Sequence, residues 1–269
     1  MNIINEKDYR AHSALSYSDL VHLEDSPLHF INRDKLRKET EAMRKGTLLH
    51  MGLLEPTKFK NSFAIEPEEI DGQPINRRVK AHREFIEQWK KENEGRVFVR
   101  REEMDSLTGM LCALGAHKHA KKYFTGGQAE VAEFGEWCGV PIKGRCDYLT
   151  EIPGLGRTVV DLKKTQDASP KGFERSIYNY RYYLQAFIYK YLFKADTFVF
   201  VAVEDTGMND FAPIGIYRAS DALLEKGEEL LSKLITIYKE AKQTNNWRGY
   251  TDDFEDISLP AWVIGGTDG

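Results

Sequence analysis

Two aspartates and one lysine occupy two neighbouring β-rich runs of the sequence. Asp147 lies late in the first run, and Asp161 and Lys163 lie at the end of the second. A turn rich in Pro and Gly joins the runs and predicts a β-hairpin. Alternate residues of a strand point to one face, so the hairpin can bring both carboxylates and the ammonium over one pocket. Oxygen ligands suit Mg²⁺, and a lysine beside the metal can orient or deprotonate a water, as phosphodiester hydrolysis requires.

The ordinary alternative is that each of these residues is an exposed strand charge or one half of a salt bridge. Asp161 follows Thr158-Val-Val, where a buried strand would normally stay apolar, and this favours a site. The following helix carries Gln185 and Tyr189, which are four residues apart and share a face. Most tyrosines of that helix are predicted to pack in the core, whereas Gln185 is unusual there.

Composition limits the possible classes of protein. The chain has 269 residues, of which 41% are hydrophobic and 30% charged, as expected for one large globular domain. No apolar run approaches a membrane span, and the N-terminus does not resemble a signal peptide. Three scattered cysteines fit neither a disulfide framework nor a four-cysteine metal site, so a reduced, cytoplasmic location is expected. The net charge of −4 means that any nucleic-acid partner needs locally concentrated positive charge.

The order of elements predicts an α/β fold, with helices, then three strands, a helix, two strands and a final helix. We expect a single domain over 1–269, with a mainly helical part at 1–125, an αβ core at 126–244 and a tail at 245–269. The predicted helices are 16–24, 28–31, 45–54, 77–94, one or two over 101–124, 173–192 and 219–244. The predicted strands are 128–137, 140–149, 157–163, 197–203 and 214–218, with a loop and a short strand within 57–75.

Several motifs together resemble the PD-(D/E)xK nuclease superfamily, in particular the RecE-type exonucleases of its RecB-like branch. They are G-R-x-D at 144–147, V-D-L-K at 160–163, Q-x-x-x-Y at 185–189, S-Y-S-D-L at 16–20 and K-G-T-L-L-H at 45–50. Ser26 stands where many relatives have cysteine. The resemblance covers most of residues 14–244. It implies a restriction-endonuclease-like core, a mixed central sheet flanked by helices, preceded by a helical region.

The resemblance also assigns roles by position. The implied metal ligands for Mg²⁺, with Mn²⁺ as the alternative ion, are His50, Glu130, Asp147, Asp161 and the carbonyl of Leu162. Lys163 would activate the water or stabilise charge in the transition state, and the first role asks for a lysine pKa depressed by the metal and by burial. Gln185 would orient the water or phosphate, with support from Tyr189. Glu133 is a rival to Glu130, three residues away on the opposite strand face. Without the motif, His50 is better explained as a core histidine.

The activity implied is that of a Mg²⁺-dependent 5′→3′ double-strand DNA exonuclease that leaves 3′ overhangs for a single-strand annealing recombinase. Relatives form rings, so a ring-shaped homo-oligomer, a trimer or a tetramer, is expected. The alternatives are an endonuclease or single-strand nuclease on the same core, or a catalytically idle DNA-binding or recombinase-docking module. The candidate DNA contacts are Ser18, Arg44, Lys45, Arg77, Arg78 and Tyr182. Basic runs such as 77–83 are otherwise solvated helix faces.

Overall fold

The computed structural model describes residues 6–36, 40–251 and 253–259. Within these residues the helices are α1 (Glu6–Ala11), α2 (Tyr17–Asp25), α3 (Pro27–Ile31), α4 (Arg33–Leu36), α5 (Glu41–Leu54), α6 (Pro56–Ser62), α7 (Lys80–Glu92), α8 (Arg101–Ala116), α9 (Ala120–Tyr123), α10 (Pro170–Asn179), α11 (Tyr182–Leu192) and α12 (Asp221–Thr244). The strands are β1 (Phe63–Ile65), β2 (Glu69–Ile70), β3 (Gln73–Pro74), β4 (Val97–Val99), β5 (Gln128–Trp137), β6 (Val140–Ile152), β7 (Gly156–Thr165), β8 (Thr197–Glu204) and β9 (Ile214–Arg218).

A five-stranded mixed sheet with the order β5-β6-β7-β8-β9 forms the centre of the molecule. Its neighbours are antiparallel except for β7 and β8, which are parallel and are connected through α10 and α11. The remaining short strands form two small pairs, β1 with β4 and β2 with β3. Helices therefore cover a sheet whose middle strands are buried on both faces, as is usual for parallel pairs.

Alternation along β7 and β8 divides the apolar core into two clusters, one on each face of the sheet. Val159 and Phe200 point into the cluster formed with α2, α11 and α12. Val160 and Val201 point into the cluster formed with α5 and α8. This two-sided burial explains why β8 reads as a continuous apolar run, and it confirms the predicted strands of the core.

Strands β6 and β7 separate at the point where the two predicted aspartates stand. Their pairing begins at Tyr148 opposite Val160, so the part of β6 before Tyr148 has a free edge on the β7 side. The N-terminal segment occupies that edge, because Leu15 bridges Ile142 in parallel and its carbonyl accepts a hydrogen bond from the Lys143 amide. The fork between β6 and β7 thus opens beside residues from the beginning of the chain.

Residues near the beginning and near the end of the described chain also contact each other. The Leu28 amide donates to the Arg248 carbonyl, and the rings of Phe30 and Trp247 stack with centroids 5.7 Å apart. The tail contains an apolar segment at 259–264, and the sequence predicts that it docks on its own core or on a neighbouring subunit. Residues 260–264 of this segment lie outside the described part of the chain. None of the helices in the described part of the chain combines the length and the apolar character that crossing a membrane demands.

Four predictions about the elements were wrong in detail. The helix predicted over 173–192 is two helices, because Arg181 adopts a left-handed backbone (φ 54°) between them. Residues 56–62 form α6 rather than loop, with Pro56 in its first turn. Strand β6 continues to Ile152, which shortens the hairpin turn to 153–155. Helix α5 begins at Glu41 because Thr40 caps it through the amide of Met43.

Candidate functional site

Three side chains from different elements meet at the fork. His50 of α5, Glu130 of β5 and Asp147 of β6 each offer one ligand atom, and these atoms lie within 4.8 Å of one another. His50 Nδ1 is 3.1 Å from Asp147 Oδ1, and the Leu162 amide donates to Asp147 Oδ2 at 2.7 Å. The backbone of Leu162 is therefore adjacent to the cluster, while ligation by its carbonyl stays a prediction.

Register explains why Glu130 reaches Asp147. The β5–β6 pairing places Ala129 opposite Tyr148 and Val131 opposite Cys146, so Glu130 stands opposite Asp147. The ladder is interrupted there, and Glu130 has a left-handed backbone with φ 54°. Directly opposed residues point to the same face of a sheet, which brings the two carboxylates together despite their like charge. An uncommon φ in a non-glycine residue at such a place is typical of a functional position.

Asp161 and Lys163 form a second group beside this cluster. Asp161 is 1% exposed, and its Oδ2 lies 2.7 Å from Lys163 Nζ. Gln185 Nε2 donates to Asp161 Oδ1 at 3.0 Å. The Oε1 atom of Gln185 is buried and has no hydrogen-bond partner among the described residues. The predicted Asp161, Lys163 and Gln185 are thus in contact, with Asp161 turned towards Lys163 rather than into the three-residue cluster.

Tyr189 lies one helical turn beyond Gln185 and lines the neighbouring cleft. Its ring packs against β6 at Gly144, where an added Cβ would stand 2.9 Å from the ring. Only glycine allows this close approach, and this explains why the G-R-x-D motif begins with glycine. Burial raises the pKa of Tyr189 well above its ordinary value, so its hydroxyl stays protonated.

Without a bound cation, the environment of Lys163 raises its pKa, and the depression expected from the metal and burial stays a prediction. Burial acts to lower the pKa of Lys163, but Asp161, Tyr182 and Asp147 together outweigh burial and the net shift is upward. The ammonium also lies 4.5 Å from the centroid of the Tyr182 ring, a cation–π contact. In this arrangement Lys163 is a stable positive charge, which suits stabilisation of developing negative charge better than removal of a proton.

The carboxylates of the site titrate differently from one another. Burial and the charge of Asp147 raise the pKa of Glu130 to about 7, and burial raises the pKa of Asp161 to about 6 despite Lys163. Burial also acts to raise the pKa of Asp147, but His50 outweighs it and the net shift is downward. The pKa of His50 rises because Asp147 more than compensates for burial. A cation bound here would displace protons from these groups.

A cleft of about 1090 Å³ opens over the cluster, between the N-terminal segment and α5. Two basic residues of β6, Lys143 and Arg145, line this cleft, and neither was predicted to have a role. Arg145 Nε contacts Glu130 Oε2 at 3.0 Å. Lys143 Nζ donates to the carbonyls of Tyr9 at 2.8 Å and His12 at 2.7 Å. Positions 143, 145 and 147 are alternate residues of one strand and share a face, and this spacing could have placed both basic residues beside Asp147.

The candidate DNA contacts fall in different places. Ser18 lines the cleft, and Tyr182 contacts Lys163. The other four candidates are basic and do not line the cleft. Three of them form ion pairs, and the fourth is exposed. Arg44 pairs with Glu103 at 2.7 Å, Lys45 with Asp205 at 3.3 Å and Arg77 with Glu66 at 3.1 Å, while Arg78 is exposed. Their contact with DNA stays a prediction.

The sequence profile of a family described as "PDDEXK-like domain of unknown function (DUF3799)" matches residues 16–259. The chain belongs to this family. The mixed sheet flanked by helices on both faces is accordingly the PD-(D/E)xK core fold that the motifs predicted. No curated protein matches the chain significantly.

Solved structures resemble this PDDEXK-like protein to different degrees. A protein from Eubacterium rectale, provisionally named an exonuclease, is 13% identical, with 99% of each chain covered and a TM-score of 0.57. A phage-related exonuclease from Haemophilus somnus 129PT is also 13% identical, with 89% of this chain and 100% of that chain covered and a TM-score of 0.37. The first comparison shows a shared fold, and at this identity it shows nothing beyond the fold.

The residues of this PDDEXK-like protein fit a hard divalent cation. Two carboxylates and a neutral imidazole can supply ligands within one coordination sphere. Burial raises the pKa values of Glu130 and Asp161 even though Arg145 and Lys163 lie beside them, and a divalent cation would favour their charged forms further. We assign His50, Glu130 and Asp147 as the residues that would hold it, with Asp161 next to them.

Replacing Glu130 by glutamine is expected to weaken Mg²⁺ binding by about tenfold or more, because one charged oxygen ligand is lost from the cluster. Glu133→Gln is the matched control, since Glu133 lies three residues along the same strand and is not part of the cluster. Isothermal titration of both variants with Mg²⁺ measures the difference. Equal affinities for the two variants would contradict the assignment of Glu130.

The thermal midpoint without a cation is expected to fall as pH rises from about 5 to about 8. Glu130 has a pKa of about 7 in the folded chain against 4.5 ordinarily, so only the folded form holds the proton in that window, and stability is lost as it leaves. Mg²⁺ at about 100 times its Kd should raise the midpoint by roughly 5–10 °C at high pH, and by less at low pH, where protons compete. Differential scanning calorimetry with and without Mg²⁺ measures both shifts. An unchanged midpoint at either pH would contradict the metal site.

Proposed function

We propose that this protein is a Mg²⁺-dependent exonuclease that degrades linear duplex DNA from 5′ ends and leaves 3′ single-stranded overhangs. One observation carries the proposal: the His50–Glu130–Asp147 cluster lines a large cleft and has the Asp161–Lys163 pair beside it. The exonuclease designation of the Eubacterium rectale protein, which shares the fold, is consistent with it.

A divalent cation bound by the cluster would supply Lewis acidity at the scissile phosphate. The chain itself supplies the other parts. The Lys163 ammonium holds positive charge where the phosphorane-like transition state develops negative charge. Gln185 fixes the orientation of Asp161 through its hydrogen bond, and its role in orienting the water or phosphate is part of the proposal. The N-terminal segment, held by Lys143, closes one side of the cleft.

The proposal includes a ring-shaped homo-oligomer, a trimer or tetramer, that encircles duplex DNA, and a single-strand annealing recombinase that receives the 3′ overhang. The lining of the cleft carries charges of both signs, with Asp19 and Glu55 as well as Arg33 and Arg145. In a ring, neighbouring subunits would add positively charged surface around it. Light scattering with size-exclusion chromatography gives the mass, and a monomeric mass at working concentration would remove the ring from the proposal.

Incubation of linear duplex, nicked circle and closed circle with Mg²⁺ tests the activity. Loss of the linear substrate alone, with 3′-end label retained longer than 5′-end label, supports the proposal. Cleavage of closed circles would instead support an endonuclease, and binding without cleavage an idle DNA-binding module. Asp161→Asn protein purified in parallel excludes a contaminating nuclease.

A further inference from the structure

An aromatic column leads from the core to the surface beside the candidate site. The rings of Tyr180 and Tyr182 stack with centroids 5.5 Å apart and an interplanar angle of 29°. Tyr182 in turn packs on Phe173 and Phe200, which are fully buried. Tyr180 ends the column and is 59% exposed. One face of its ring is covered by Tyr182, and its outer face is open to solvent.

The column depends on the break between α10 and α11. Arg181 holds a left-handed backbone, donates to the Asn179 carbonyl at 2.6 Å and pairs with Glu24 of α2 at 2.7 Å. The Tyr17 hydroxyl donates to the Tyr180 carbonyl. A continuous helix would place residues two apart on different faces, so the stack exists only because the helix is interrupted. Several contacts therefore maintain an uncommon backbone that presents Tyr180 to solvent.

The same column touches the residues of the proposed chemistry. The Lys163 ammonium lies 4.5 Å from the Tyr182 ring centroid and 2.7 Å from Asp161. Tyr17, which bonds the Tyr180 carbonyl, lines the cleft over the metal cluster. Only the Tyr182 ring separates the Lys163 ammonium from Tyr180, so a strand with a phosphate near Lys163 would bring a neighbouring base within reach of Tyr180.

We infer that the outer face of Tyr180 is a stacking platform for an unpaired nucleobase of the strand next to the scissile phosphate. A flat ring with one covered face and one open face extends its stack with another flat π system, and every nucleobase offers one. The platform would act on single-stranded nucleotides and would be tolerant of sequence. This inference rests on the proposed function, because it assumes a DNA strand in the cleft.

Binding of a fluorescent single-stranded oligonucleotide, followed by anisotropy, tests the platform. The measurement uses the whole chain with Ca²⁺ in place of Mg²⁺, and is repeated in EDTA. Tyr180→Ala is expected to raise Kd about 5- to 30-fold, whereas Tyr180→Phe keeps the ring and should stay within about twofold. The slope of log Kd against log salt should not change, because no phosphate contact is lost.

Tyr178→Ala is the matched control, since Tyr178 is 73% exposed two residues away and is not part of the column. It should bind like the wild type. An oligonucleotide with abasic residues supplies the second arm: Tyr180→Ala should make no further difference on it. Melting curves check that the variants fold, and the hydrogen bond to Tyr17 uses only the backbone of Tyr180.

Three outcomes would overturn the inference. They are wild-type affinity in Tyr180→Ala, an equal loss on the abasic strand, and an equal loss in Tyr178→Ala. Wild-type affinity in Tyr180→Ala would indicate that the exposed ring binds a protein rather than a nucleobase. The proposed function fails separately, if the wild type cleaves no DNA with Mg²⁺ while its Tyr180-dependent binding persists.

Discussion

Asp161→Asn is expected to reduce the rate of cleavage of linear duplex by at least about 10²-fold. The substitution keeps the shape of the side chain and removes its charge, which the pair with Lys163 and the adjacent cation site both require. The loss should appear in kcat under saturating Mg²⁺. Single-turnover degradation of an end-labelled duplex measures it without interference from product release.

Asp196→Asn is the control for this substitution. Asp196 caps the opposite end of the same strand pair, where it accepts a hydrogen bond from the Arg157 amide at 2.9 Å. Its removal should leave the rate near that of the wild type. A rate in Asp161→Asn within about threefold of the wild type would be smaller than the loss of one electrostatic stabiliser, and it would remove the proposed site.

Lys163→Met is expected to lower the rate by about 10²-fold or more while Mg²⁺ binding persists. The substitution keeps an unbranched side chain as far as Cε and deletes the ammonium near Asp161 and Tyr182. Because the ammonium lowers the pKa of Asp161, its loss should move the rising limb of the pH–rate profile to higher pH. Lys163→Arg keeps the charge in a different geometry and should recover part of the rate.

Lys164→Met is the matched control, since Lys164 is the next residue of β7 and points to the other face, where it pairs with Asp205. Asp205 keeps Lys45 as a partner in that variant. Equal losses in the two methionine variants would show that the effect comes from stability rather than from the position of the charge.

The strand pattern and the charged exceptions to it made much of the site predictable. Runs rich in β-forming residues located β5 to β9, and Asp161 was conspicuous because it interrupts an apolar buried strand. His50 was recognisable only through its motif, since a histidine on an apolar helix face has no local signature of function. Its contact with Asp147 joins elements nearly 100 residues apart, which local sequence cannot encode.

The features that were missed depend on tertiary contacts. Nothing local in the sequence marks Arg181 as a left-handed residue, because the contact with Glu24 that accompanies it comes from a distant helix. Lys143 and Arg145 resemble ordinary strand charges until the N-terminal segment and Glu130 are placed beside them. The rise in the pKa of Lys163 in the metal-free chain depends on its carboxylate neighbour Asp161, a contact that the sequence alone does not give.

The long separations within the cluster have a consequence for biosynthesis. His50 leaves the ribosome well before Glu130 and Asp147, and Leu15 must wait for Ile142 before the edge of β6 is filled. Domains generally fold as units once their parts have emerged. A nascent chain therefore has no assembled cation site until at least the first hairpin of the sheet has been translated, so we expect unfinished polypeptides to be inert towards nearby DNA.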